Sequence, residues 1–152
     1  MQGKATIGGH PIHPMLVPLP IGFFVGALIC DIILAFTHNP FWPQMSVVLL
    51  GFGIVGALLA ALFGFVDYGT APMSAEAKTT ATRHMVLNLL AVVIFAVAFW
   101  LRLGDNVSTI GIILTVVGVV VLGVSGYLGG HLAYHFGVGV EQSTAERWTK
   151  LH

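Results

Sequence analysis

Seven histidines in a 152-residue chain with only six basic and six acidic side chains are its first chemical feature. His10 and His13 open "HPIHPMLVPLP", His84 follows Arg83, and His131 and His135 stand in "GYLGGHLAYHFG". Asp67, in "GFVDYGT", adds a carboxylate. Imidazoles with one carboxylate suit Fe, Zn, Cu or Ni and not Mg or Ca, which prefer oxygen. The competing chemistry is haem, with His84 and His131 as the natural axial pair. With no Cys-x-x-Cys-His motif, such a haem is non-covalent, b-type.

The medium that must position these groups follows from composition. The chain is 57% hydrophobic and 8% charged, with mean hydropathy +0.94, against about 25% charged residues in soluble domains. So few charges cannot cover a water-soluble globule, and the bilayer is the expected solvent. The charges cancel, which gives no footing for a nucleic-acid partner. Cys30 is the single cysteine and has no partner for an intrachain disulfide.

A membrane helix needs about 20 mostly apolar residues. Four runs qualify, at residues 15–36, 45–68, 84–103 and 109–130. The expected fold is therefore all-α, a single domain over 1–152 forming an integral membrane antiparallel four-helix bundle. The Val- and Ile-rich fourth run is too long for a strand, and in lipid only helices or closed barrels satisfy every backbone group. The first run lacks a small-residue cleavage site and reads as a retained helix. "THNPFWPQM" and "RLGDNVST" read as short turns, and "GTAPMSAEAKTTATR" as a longer polar connection. After Val140, Ser143 and Glu146 match a capping box, which predicts a short interfacial C-terminal segment over 141–152.

Basic residues set the orientation. Lys4, Lys78, Arg83, Arg147 and Lys150 fall on the side holding both termini, and only Arg102 falls on the other. The positive-inside rule places both termini in the cytoplasm. In this topology His10, His13, Asp67, His84, His131 and His135 all arrive at the cytoplasmic end, drawn from all four spans. His38 lies on the opposite side. Each histidine alone also has a plain reading as an amphipathic interfacial ring. Together they predict a metal site, because ionisable groups at membrane depth usually mark function.

Local chemistry refines this set. Residues before proline are pushed out of the helical region, so His10 and His13 are expected in an extended strap. His13 then becomes the N-cap and Pro14 the first helical residue. Pro18 and Pro20 would free carbonyls able to accept from a ligand imidazole. His131 and His135 share a face if the fourth helix continues through Gly129 and Gly130. Near the opposite end, Asp31 and Arg102 are expected to pair with each other.

The opening "HPIHPMLVPLPIG", "GFVDYGT", His84 at the head of the third span, and the closing "GYLGGHLAYHFGVGV" resemble a bacterial family of predicted membrane proteins of unknown function. Its members begin His-Pro-x-His-Pro and carry a Leu-Gly-Gly-x-Leu closing motif. The resemblance spans nearly the whole chain and puts His10, His13, Asp67, His84 and His131 at motif positions. His135 falls where an arginine-like residue is expected, and relatives carry a carboxylate in place of His131. Some relatives are associated with Rieske-type domains, which implies redox work and a redox protein partner.

The expectation is thus a multi-pass protein of the bacterial cytoplasmic (inner) membrane. Its site would hold a transition-metal ion (Fe, Zn or Cu) or haem b, with the bilayer as partner and a homo-oligomer allowed. A non-catalytic anchor or partner subunit with structural histidines is the competing reading. A nucleophilic triad, a P-loop and a dinucleotide fingerprint are all missing from the sequence, so an enzyme of conventional type is not expected. With no charge in the middle of a span, a transporter is expected least.

Overall fold

The computed structural model describes residues 3–104 and 107–140. A two-residue strand β1 (Thr6–Ile7) pairs antiparallel with β2 (His10–Pro11). Gly8 and Gly9 make the turn at φ +56° and +83°, which two-residue hairpins of this hand require. Five helices follow: α1 (Ile12–Leu16), α2 (Pro18–Thr37), α3 (Phe41–Thr70), α4 (Ala75–Arg102) and α5 (Thr109–Tyr134). Val17 lies in helical geometry and donates to the carbonyl of His13, so α1 and α2 run on as one span. Among the described residues, four helices, 12–37, 41–70, 75–102 and 109–134, are long and apolar enough to cross a membrane.

Two expectations need correction. The strap before the first helix is a β-hairpin, and His13 sits inside α1 rather than capping it; the helix begins at Ile12, after Pro11. The segment "GTAPMSAEAKTTATR" is mostly helix, not a loop. Ser74 caps α4 by accepting from the Ala77 N–H, and Glu76 sits in the first turn, where its charge suits the helix dipole. The hydroxyls of Thr79, Thr80 and Thr82 bond back to carbonyls four residues earlier. Polarity hid this stretch from hydropathy, although Ala75, Glu76, Ala77, Lys78 and Ala81 are good helix formers. His84 therefore lies in the third turn of α4, not at its head. The capping box and segment 141–152 lie outside the described residues.

The four long helices close a ring. α2 packs along α3 and α4 along α5, while α3 meets α4 and α2 meets α5 more lightly. Along the first pair, Ser46 bonds to Ala27, Gly53 lies against Phe24, Gly56 against Pro20 and Gly64 against His13. Residue numbers therefore rise along α3 as they fall along the first span. The interior is built from Phe24, Ala27, Leu50, Ala91, Phe95 and Ala98. Val25, Ile29, Phe52, Leu62, Val93 and Val120, among others, face outward. Helices apolar all round gain little from hydrophobic sorting in lipid, so close contact at small residues must hold them. Phe24 and Phe95 stack at 3.7 Å between centroids, 6° from parallel, in the middle of the ring. Gly53 and Gly118 make that possible: a Cβ on either would come within 2.5–2.6 Å of the adjacent ring.

Candidate functional site

His13 and His84 meet across the ring of helices, their centroids 6.4 Å apart and their planes at 80°. His13 Nδ1 lies 2.8 Å from the carbonyl of Ala60 on α3. His84 Nδ1 lies 2.8 Å from the carbonyl of Ser125 on α5. A carbonyl only accepts, so each Nδ1 carries a proton, and in the neutral ring the lone pair is on Nε2. Glycine four residues beyond each carbonyl clears room for the ring, since a Cβ on Gly64 would stand 3.0 Å from His13 and one on Gly129 2.9 Å from His84.

The two rings occupy matching positions in two matching helix pairs. His13, Phe24 and Asp31 find their partners His84, Phe95 and Arg102 the same distance along the chain (84 less 13, 95 less 24 and 102 less 31 are each 71). Each of these pairs touches across the centre. On the companion helices, Gly53, Ala60 and Gly64 correspond to Gly118, Ser125 and Gly129 (118 less 53, 125 less 60 and 129 less 64 are each 65). The first span with α3, and α4 with α5, are thus two copies of one helical hairpin related by an approximate two-fold axis along the bundle. Three central pairs mark that axis in order: His13 with His84, Phe24 with Phe95, and Asp31 with Arg102.

The copies differ where polar groups have been added. Asn88 Nδ2 lies 2.9 Å from His84 Nε2 and donates to its lone pair. The matching position in the first copy is Val17, and His13 Nε2 has no hydrogen-bond partner among the described residues. Ser125, where the first copy has Ala60, sits with its hydroxyl 3.1 Å from His84 Nδ1 and 3.1 Å from the His84 carbonyl, to which it donates.

The remaining expected site residues do not join this pair. His10 is exposed on the hairpin, its Nδ1 3.0 Å from the Gly8 carbonyl. Asp67 accepts from the Ala5 N–H at 3.2 Å and packs against Gly3, where any side chain would collide with it. With Thr70, which accepts from the Lys4 N–H, it pins the N-terminal strap to the end of α3. His131 and His135 do share a face, because α5 continues through Gly129 and Gly130. Their rings stack at 4.6 Å, extending to Tyr127 at 6.4 Å, on the side of α5 that carries the exposed Tyr127 and Tyr134. That face is not the one bearing Ser125 and Gly129, so His84 and His131 are not brought together as an axial pair. The carbonyls that receive the imidazoles belong to Ala60 and Ser125, not to the residues before Pro18 and Pro20. Among the described residues, no group of three or more His, Cys, Asp or Glu is placed to hold one metal ion.

At the other end of the axis, Arg102 donates to both oxygens of Asp31 at 2.7 and 2.9 Å, with the two side chains 0% and 1% exposed. The stem of Arg102 passes over Gly111, where a Cβ would stand 2.6 Å away. The expected Asp31–Arg102 pairing is present.

Sequence reading missed Asn88, Ser125, Gly64 and Gly129. The available signal was the spacing of eleven and then seven residues in His13–Phe24–Asp31, repeated in His84–Phe95–Arg102. No curated protein and no solved structure matches the chain. Over residues 9–142, however, it matches a family of predicted membrane proteins of unknown function, DUF2231, and to that family the chain belongs.

Proposed function

We propose that this is a multi-pass protein of the bacterial cytoplasmic membrane, an antiparallel four-helix bundle with both termini in the cytoplasm. Its working part is then a two-imidazole site formed by His13 and His84. The observation that carries this reading is the matched pair of Nδ1–H···O=C bonds. Metal-ligating histidines characteristically donate their second N–H to a carbonyl or carboxylate, which orients the ring and leaves the other nitrogen as donor. The two rings are also neighbours across the centre of the bundle, their centroids 6.4 Å apart, so His13 and His84 would be the residues to hold a metal. The site suits Fe, Zn or Cu, or the iron of haem b, which would supply redox chemistry and electron exchange with a protein partner.

The full chain, purified in detergent, is analysed for metal content and visible absorption. One equivalent of Fe, Cu or Zn per chain, or a Soret band, is expected, and its loss in both His13→Ala and His84→Ala. A protein that neither carries nor takes up metal or haem defeats this reading. A second reading also has an observation behind it: with Asn88 on Nε2, His84 has both nitrogens bonded and can serve as a clamp between α4 and α5. In that case the protein is a non-catalytic anchor or partner subunit, and the two alanine variants alter stability alone.

A further inference from the structure

The two imidazoles sit at equivalent positions of a duplicated hairpin but are not chemically equivalent, and the difference is one residue. Asn88 stands four residues after His84 in α4 and donates to its Nε2 at 2.9 Å. Val17 stands four residues after His13, in helical geometry, and offers no such donor. The lone pair that the site would present to an incoming ion is therefore open on His13 and covered on His84.

We infer that Asn88 is a gate built into the site: its amide competes with the metal for His84 Nε2 and must release the ring before both imidazoles can bind. This rests on the two-imidazole reading above. Asn88 also has a positioning role, because its N–H holds His84 in the Nδ1–H tautomer that the Ser125 carbonyl requires. His13 and His84 would hold the ion, His84 only once Asn88 has released its Nε2. Asn88 is not itself a ligand.

The test uses the full chain in detergent, with Zn2+, Cu+ and haem b added separately. Asn88→Leu, which keeps volume and removes the donor, is expected to tighten binding by about 2- to 13-fold, the worth of one net hydrogen bond. Asn88→Ala serves the same purpose if the leucine variant does not fold. The reciprocal change, Val17→Asn, puts an amide four residues after His13 and is expected to weaken binding by a similar factor. In 15N spectra of the metal-free protein, the His84 Nε2 resonance should move in Asn88→Leu towards that of His13. Unchanged affinities in all three variants overturn the gate while leaving the two-imidazole site intact. If none of the probes binds wild type or Asn88→Leu, the gate falls together with the site.

Discussion

The two ends of the pseudo-two-fold axis treat buried polarity in opposite ways. At one end, equivalent positions hold unlike residues, Asp31 and Arg102, joined by two short charge-assisted bonds and sealed from solvent. At the other, equivalent positions hold like residues, His13 and His84, which do not bond to each other but each lean on a main-chain carbonyl. Opposite charges at matched positions satisfy each other and make a lock. The two imidazoles at matched positions do not satisfy each other: each gives its Nδ1 to a carbonyl, His84 Nε2 is taken by Asn88, and His13 Nε2 has no hydrogen-bond partner among the described residues. The first is a structural use of polarity in lipid, and on the reading proposed above the second is a functional one.

The comparison breaks most visibly at the lock. Arg102→Met leaves the Asp31 carboxylate buried and unpaired, and should cost about 3–5 kcal/mol, whereas the Asp31→Leu/Arg102→Met double variant should recover most of it. Reversible unfolding in mixed micelles reads both, and a single variant within about 1 kcal/mol of wild type would remove the lock from the account. Next comes the middle of the axis. Gly118→Ala drives a methyl group into Phe95 and Gly53→Ala one into Phe24, each costing about 1–3 kcal/mol. Gly123→Ala, with open space around it, is the control, expected within about 0.5 kcal/mol. Equal losses at Gly118 and Gly123 would mean that the Phe24–Phe95 stack does not set the helix spacing.

At the histidine end the expected effects are smaller and unequal. His84→Ala removes contacts to Ser125 and Asn88, while His13→Ala removes a single bond to Ala60. His84→Ala should therefore destabilise more, by about 1–2 kcal/mol at roughly 1 kcal/mol per bond. Identical losses would contradict the asymmetry of the two copies. The smallest effect is expected at the strap: Asp67→Ala should leave global unfolding within about 1 kcal/mol but speed hydrogen exchange at the Ala5 N–H, which Asp67 accepts. Unchanged exchange there would show that the strap is held by other contacts.

The four spans were readable because twenty apolar residues in a row leave the backbone few alternatives in lipid. The Asp31–Arg102 pair was readable for a related reason, since each charge in a span needs a partner and few were on offer. The membership of the histidine site was not. Topology brings several histidines to one end, but angular position decides which of them meet. His131 lies six residues after Ser125, which at about 100° per residue puts it roughly 120° round the helix from the residue that touches His84. His13 was expected to cap its helix and instead lies within it, because the chain enters helical geometry at Ile12. The duplication is hard to see in the sequence because its identities, such as His13/His84, Phe24/Phe95, Ala27/Ala98, Gly53/Gly118 and Gly64/Gly129, are scattered among interchangeable apolar residues. What they preserve is the interval between large and small residues along the inner face, visible only once the faces are known.

The Phe24–Phe95 stack has one more effect. Two fully buried rings 3.7 Å apart leave no room for water between them, so the centre of the bundle is closed at that level. On the two-imidazole reading proposed above, a ligand would therefore have to come and go at the histidine end of the bundle.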